Sequence, residues 1–137
     1  MVKVIMGKKG TGKTKMIIDF VNTAVKEENG NVVCIEGGRK LTYDISYDVR
    51  LVDLTDYPDV NGFDELYAFI VGMYSMNFDV THVFIDSLYK IAGSSDADAA
   101  TKFLDKLSVF SDKNDVKYTI MISDDLANST EGMQKYL

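Results

Sequence analysis

The hydrophobic pattern alternates along the chain between short continuous runs and longer segments with helical spacing. The runs are rich in β-branched residues and predict buried strands at 2–6, 32–35, 51–54, 83–85 and 118–122. The periodic segments predict helices at 13–28, 63–76 and 97–112, with a short terminal helix at 129–137. Because strands and helices alternate, the pattern predicts an α/β fold, a three-layer α/β/α sandwich around a mostly parallel five-stranded sheet.

The chemistry of such a sheet is expected at one edge, because ligands bind at the carboxyl ends of parallel strands. The candidates are therefore the residues that directly follow the predicted strands, namely the segment 7–14, Glu36, Asp86 and Ser123. Apart from the strand at 51–54, residues 39–61 give no clear pattern.

The first candidate segment fits a phosphate-binding pattern in full. Gly7-Lys8-Lys9-Gly10-Thr11-Gly12-Lys13-Thr14 matches G-x-x-x-x-G-K-[ST] between a predicted strand and a predicted helix, which is the context of a P-loop. The glycines let successive backbone N–H groups point at phosphate oxygens, and the helix start adds its positive dipole end. We expect Lys13 to reach the β- and γ-phosphates of a nucleoside triphosphate and to take part in catalysis.

The basic residues around this motif form one cluster. Lys8, Lys9 and Lys15 lie beside Lys13, and Lys8 and Lys9 either add positive potential at the phosphates or are solvated. The predicted nucleotide-binding residues are Gly7, Lys8, Lys9, Gly10, Thr11, Gly12, Lys13, Thr14, Lys15 and Ser123.

A second candidate group is the carboxylate at the end of the fourth predicted strand. His82-Val83-Phe84-Ile85-Asp86 is an apolar run that ends in an acid, on the edge where the phosphate loop is also expected. Mg²⁺ is bound by hydroxyl and carboxylate oxygens together with substrate phosphates, so we expect Thr14 and Asp86 to hold the Mg²⁺ of bound ATP. His82 is expected to be structural.

With both motifs in place, the sequence resembles the RecA/KaiC-like branch of P-loop ATPases. The pair GKKGTGKT and VFIDSL carries the resemblance, because the metal-binding Asp of that branch is often followed by Ser and an apolar residue. The resemblance implies a P-loop NTPase core, a catalytic, water-activating carboxylate at Glu36, and a γ-phosphate sensor at Ser123 or Asp124. From the residues alone, Glu36 could equally be a turn carboxylate, and Arg39 either a cationic finger or a solvated residue.

The resemblance also implies an order for the strands, which is 51–54, 32–36, 83–85, 118–122 and 2–6. The phosphate-loop strand would then lie at the edge of the sheet. An exposed edge invites a partner chain or a covering segment. Residues 129–137 are one candidate to cover it, and a second copy of the chain or another protein is the other.

Composition narrows the choice of partners. The chain of 137 residues fits one domain, 1–137, and carries 15 Lys+Arg against 21 Asp+Glu, a formal net charge of −6. Nucleic-acid binding needs a positive surface, so this balance argues against it. No run approaches the ~20 apolar residues of a membrane span, and the N-terminal apolar stretch is too short for a secretory signal. We therefore expect a cytoplasmic protein without a membrane partner.

These observations favour a small RecA-like, Mg²⁺-dependent ATPase or ATP switch. The alternatives are a nucleotide-binding module with little turnover that acts through a partner protein, and a nucleotide or small-molecule kinase. Kinases usually clamp a second phosphate with several arginines, and this chain has only Arg39 and Arg50. A GTPase is disfavoured because no N-K-x-D motif follows a predicted strand. Tyr43 and Tyr89 are candidates for stacking on adenine or for ordinary packing.

Overall fold

The computed structural model describes residues 1–38, 41 and 43–137, and within them strands and helices alternate. The strands are β1 (Val2–Gly7), β2 (Asn31–Glu36), β3 (Arg50–Asp53), β4 (Val80–Ile85) and β5 (Lys117–Ser123). The α-helices are α1 (Lys13–Glu27), α2 (Phe63–Met76), α3 (Leu88–Ala92) and α4 (Ala97–Asn114). Short 3₁₀-helices span Leu54–Asp56, Leu126–Asn128 and Glu131–Tyr136.

The described strands form one five-stranded sheet in the order β1-β5-β4-β2-β3, and every strand pair in it is parallel. This is the order that the family resemblance implied. The register aligns the carboxyl ends of the strands, because Gly7 pairs with Ser123 and Ile85 pairs with both Ile35 and Ile120. The segments that follow β1, β5, β4 and β2 therefore emerge side by side at one edge of the sheet.

Helices cover both faces of this sheet. Alternate residues of each central strand enter different hydrophobic clusters, as the two-residue period of a strand requires. One cluster joins Ile35, Val83 and Ile120 to apolar residues of α2 and α4. The other joins Cys34, Phe84 and Met121 to α1 and to Leu41, Ile45 and Val49. Burial on both faces explains why the strands are continuous apolar runs, and it confirms the predicted α/β architecture.

The structure corrects three details of the predicted elements. β4 begins at Val80, three residues before the predicted strand, because Asn31 extends the pairing of β2 to that residue. β3 ends at Asp53 rather than at position 54, since the Asp53 carboxylate accepts a hydrogen bond from the Thr55 backbone N–H (2.9 Å) and starts a 3₁₀ turn. Helix α3 was not predicted.

The C-terminal segment is a 3₁₀-helix that contacts α4 and β1. Its Met133 and Tyr136 are buried in the cluster on the α2–α4 face. The Tyr136 hydroxyl donates to Asp105 Oδ1 (2.6 Å), and the Thr101 and Thr130 hydroxyls lie 2.6 Å apart. Within the described residues, no backbone hydrogen bond joins this segment to β1. The segment therefore packs beside the edge strand without extending the sheet.

No helix in the described part of the chain has the length and apolar character needed to cross a bilayer.

Candidate functional site

A cavity of about 500 Å³ opens at the carboxyl edge of the sheet. It lies where the segment after β1, the segment after β4 and the end of β5 converge. The residues that line it are Lys9, Gly10, Gly12, Lys13, Thr14, Asp86, Ser87, Tyr89, Lys90 and Ser123. Three of the four segments predicted to carry chemistry are thus brought together.

The loop of residues 7–14, called here the glycine loop, has a backbone that only glycine adopts at low cost. Gly10 and Gly12 have φ values of 87° and 85°, in the left-handed region. Helix α1 begins directly after Gly12, without a side-chain cap and without an acidic residue in its first turn. The backbone N–H groups and the positive dipole end of α1 are therefore not neutralised by the helix itself, which suits an anion.

Lys13 is buried against the glycine loop, with 8% of its surface exposed. Its Nζ donates to the Lys8 carbonyl oxygen (2.7 Å) and to Thr11 Oγ1 (3.2 Å). The Thr11 hydroxyl donates to the same carbonyl (2.8 Å). An ammonium group has three donors, so one donor of Lys13 lies outside this network. The network fixes the curvature of the loop and holds a cation on the cavity wall.

The remaining lysines of the predicted cluster behave differently from one another. Lys9 lines the cavity, whereas the Lys8 ammonium forms an ion pair with Asp125 (3.2 Å) at the surface. Lys15 is exposed on α1 and does not line the cavity.

Asp86 lies at the carboxyl end of β4, where its backbone N–H donates to the Ile35 carbonyl (2.9 Å). Its carboxylate accepts a weak hydrogen bond from the Ser87 hydroxyl (3.4 Å), and it lines the same cavity as Thr14 and Ser123. Residues 1–38, 41 and 43–137 contain no cluster of three His, Cys, Asp or Glu that could hold a metal. One carboxylate and one hydroxyl fit Mg²⁺ that arrives with phosphates and keeps several waters, rather than a metal held by protein alone.

The other predicted candidates lie away from the cavity wall or outside the description. Glu36 is 1% exposed, its Oε1 accepts a hydrogen bond from the Leu41 backbone N–H (3.3 Å), and it is absent from the described residues that line the cavity. Arg39 lies outside the described residues. Tyr43 is 98% exposed and does not line the cavity.

His82 lies within β4, on the face covered by α1. Its Nε2 is 2.9 Å from Thr119 Oγ1, and its ring stacks on Phe84 with centroids 4.1 Å apart. Burial lowers the pKa of His82 to about 4, while the Glu28 carboxylate raises it in part. These contacts agree with the expected structural role.

Helix α3 and the residue before it bring Ser87, Tyr89 and Lys90 to the cavity. Sequence reasoning named Tyr89 only as a candidate for stacking on adenine or for packing, and it missed Ser87 and Lys90. The sequence pattern that could have indicated α3 is short. It consists of apolar residues at positions 88, 91 and 92, spaced i, i+3 and i+4, followed by Gly93. Five residues give too little periodicity to predict a helix.

Tyr89 combines a core position with a place on the cavity wall. Its ring meets Phe63 edge-on in the hydrophobic core, so the structure favours packing over stacking on adenine. Its hydroxyl is buried and has no hydrogen-bond partner among the described residues. Burial raises the pKa of Tyr89, and the Asp124 and Asp96 carboxylates add to the effect.

The charged residues that line the cavity have a net positive charge, whereas the whole chain has a net negative charge. Among the described lining residues the charged groups are Lys9, Lys13, Lys90 and Asp86, three cations against one anion, whereas the chain carries a formal charge of −6. This local excess of positive charge, together with the uncapped start of α1, can bind a polyanion.

Comparison with models of known protein families gives no match, and comparison with curated proteins gives no significant match either.

Proposed function

We propose that this chain binds ATP with Mg²⁺ in the cavity at the glycine loop and acts as a small ATPase or an ATP-dependent switch. The observation that carries the proposal is the meeting of the glycine loop, Asp86 and Ser123 around one positively charged cavity of about 500 Å³. A volume of this order is typical of small-molecule sites.

The glycine loop, Thr14, Asp86 and Ser123 each have a chemical role in this proposal. The N–H groups of the glycine loop and the start of α1 bind phosphate oxygens, and Lys13 contributes its remaining donor. Thr14 and Asp86 hold Mg²⁺, which, when bound, neutralises charge on the phosphates. Ser123, at the end of the strand next to β1, is within the same cavity and senses the terminal phosphate.

A module that binds nucleotide with little turnover is the second candidate, and Glu36 is the observation that favours it. Hydrolysis needs a group that orients the attacking water. The residue expected for that role is buried, binds the Leu41 backbone and does not line the cavity. The two candidates share the binding site and differ only in turnover.

Titration calorimetry with ATP and GTP, in Mg²⁺ and in EDTA, tests the binding proposal. We expect Lys13→Ala to weaken ATP binding roughly ten- to hundredfold, the effect of losing a charge-assisted contact. Asp86→Asn is expected to reduce the gain in affinity that Mg²⁺ gives and to leave binding in EDTA nearly unchanged. Lys113→Ala is the matched control, because Lys113 is exposed near the end of α4, which precedes β5 and so lies at the opposite edge of the sheet.

The proposal fails if the parent protein binds no nucleoside triphosphate, or if Lys13→Ala binds ATP as tightly as the parent while keeping its thermal unfolding temperature. A phosphate-release assay on the parent and on Glu36→Gln then separates the two candidates. Turnover that Glu36→Gln abolishes supports the ATPase, and tight binding without turnover supports the module.

A further inference from the structure

Helix α3 presents one exposed residue to the nucleotide cavity. Leu88, Tyr89, Ile91 and Ala92 are buried, whereas Lys90 is exposed and lines the cavity. Because four of its five residues are anchored in the core, α3 is held in place and the backbone of Lys90 is fixed relative to the glycine loop.

The backbone directly before α3 has a conformation that is unfavourable for a residue other than glycine. Ser87 adopts φ 56° and ψ 63°, a left-handed conformation that is uncommon for a residue with a Cβ. It lies between Asp86 and α3, so the chain turns sharply at the end of β4. Strain of this kind is tolerated where the surrounding structure holds it, often at functional sites.

Lys90 lines the cavity, and its ammonium lies near the end of β2, whereas the glycine loop follows β1. A Cβ built on Gly38 would lie 3.4 Å from Lys90 Nζ, so the ammonium rests against the turn that follows β2. The glycine loop follows β1, and the order β1-β5-β4-β2 puts three strand spacings of about 4.8 Å each between the two strands. Within residues 1–38, 41 and 43–137, no hydrogen bond or ion pair engages this ammonium.

We propose that Lys90 binds the terminal phosphate of the nucleotide and makes the site selective for triphosphates over diphosphates. A polyphosphate held at its inner end by the glycine loop and Lys13 extends across the Asp86 end of β4 toward Lys90. Only the third phosphate reaches that cation, because the inner two are bound at the loop, and Lys13 contacts the third phosphate from the loop side. This inference rests on the function proposed above and adds a recognition group for the γ-phosphate.

Calorimetry with ADP and with a non-hydrolysable β,γ-imido analogue of ATP, both with Mg²⁺, measures the selectivity. We expect the parent to prefer the triphosphate analogue, and Lys90→Ala to lower that preference roughly ten- to hundredfold while ADP affinity stays within about twofold. Lys90→Arg is expected to restore most of the preference, since it keeps the charge. Lys113→Ala removes a distant exposed charge and is expected to change neither affinity.

The outcomes separate the two proposals. A parent that binds neither nucleotide overturns the proposed function, and this inference with it. A parent that binds both, with an unchanged preference in Lys90→Ala, overturns the inference alone. The inference is also overturned if Lys90→Ala loses equal affinity for ADP and for the triphosphate analogue at an unchanged thermal unfolding temperature. Equal losses would mean that Lys90 acts through the general positive potential of the cavity or through its shape, and not on the third phosphate.

Discussion

Replacing glycine with alanine should have opposite effects on the stability of the fold at two positions, Gly12 in the glycine loop and Gly72 in helix α2. Gly12 and Gly72 both have open space where a Cβ would be added, with no heavy atom within 4 Å. Gly12 precedes α1 with φ 85°, whereas Gly72 is an exposed position inside α2. Replacing each with Ala therefore changes the backbone preference without a steric clash.

The expected free energies follow from the two backbone conformations. The left-handed conformation costs a residue with a Cβ about 1–2 kcal/mol relative to glycine, so Gly12→Ala should destabilise the fold. Alanine inside a helix is better than glycine by about 0.5–1 kcal/mol, so Gly72→Ala should stabilise it. The two variants should thus differ by roughly 1.5–3 kcal/mol in the free energy of unfolding, with opposite signs relative to the parent.

Urea unfolding followed by circular dichroism measures this difference. The midpoints should move in opposite directions with the slope unchanged, since neither change alters the surface exposed on unfolding. Each kcal/mol should correspond to roughly 2–6 °C in the thermal midpoint of a chain of this size. If the glycine loop binds ATP, Gly12→Ala should also weaken ATP binding, whereas Gly72→Ala should leave it unchanged.

The reasoning is refuted if Gly12→Ala is as stable as the parent, because the loop would then not need its left-handed backbone. It is also refuted if the two variants shift stability in the same direction, because the backbone preferences of alanine and glycine would then not determine the sign of the change.

Three further predictions concern stability away from the cavity. The Asp96 carboxylate accepts hydrogen bonds from two backbone N–H groups at the start of α4, so Asp96→Ala should cost about 1 kcal/mol in chemical unfolding, and Asp96→Ser should recover most of it. A Cβ on Gly30 would lie 2.3 Å from the Asp79 carbonyl, so Gly30→Ala should cost roughly 1–3 kcal/mol; a stable variant would mean that the contact is looser than observed. Because the folded pKa of His82 is about 4, below the usual 6.5, the unfolded chain binds more protons between these values, and unfolding free energy should rise with pH across that window. Because His82 is partly exposed, we expect the unfolding free energy to rise by roughly 1–2 kcal/mol across this window, less than the full pKa shift would give. His82→Gln should flatten the dependence of unfolding free energy on pH, and an equal dependence in both proteins would contradict this prediction.

Much of the fold could be predicted from the sequence because its elements are long or strongly patterned. Helix α2 has the predicted bounds, and α4 begins at the predicted residue 97. Parallel strands buried on both faces need continuous apolar runs, so the runs indicated the type of sheet as well as its strands. The strand order came from the family resemblance and was confirmed by the pairing. The binding function that this resemblance implied stays a prediction.

The candidate site was predictable only where its residues follow strands or form a continuous motif. The glycine loop, Asp86 and Ser123 meet because all parallel strands end at one edge, a consequence of topology that sequence position reveals. Lys90 could not be found in this way, since its place depends on a five-residue helix whose position is set by the strained Ser87 and by packing.

What the sequence determined by itself was the local chemistry: which segments are strands or helices, and where glycines permit a left-handed loop. Tertiary structure alone decided which of the side chains at the carboxyl edge of the sheet line the cavity and which do not. It buried Glu36 beside the Leu41 backbone, paired Lys8 with Asp125, and brought Lys90 to the same cavity as Lys13. The physical reason is that the surroundings of a side chain depend on contacts between residues far apart in the chain, whereas backbone preference and periodicity depend on near neighbours.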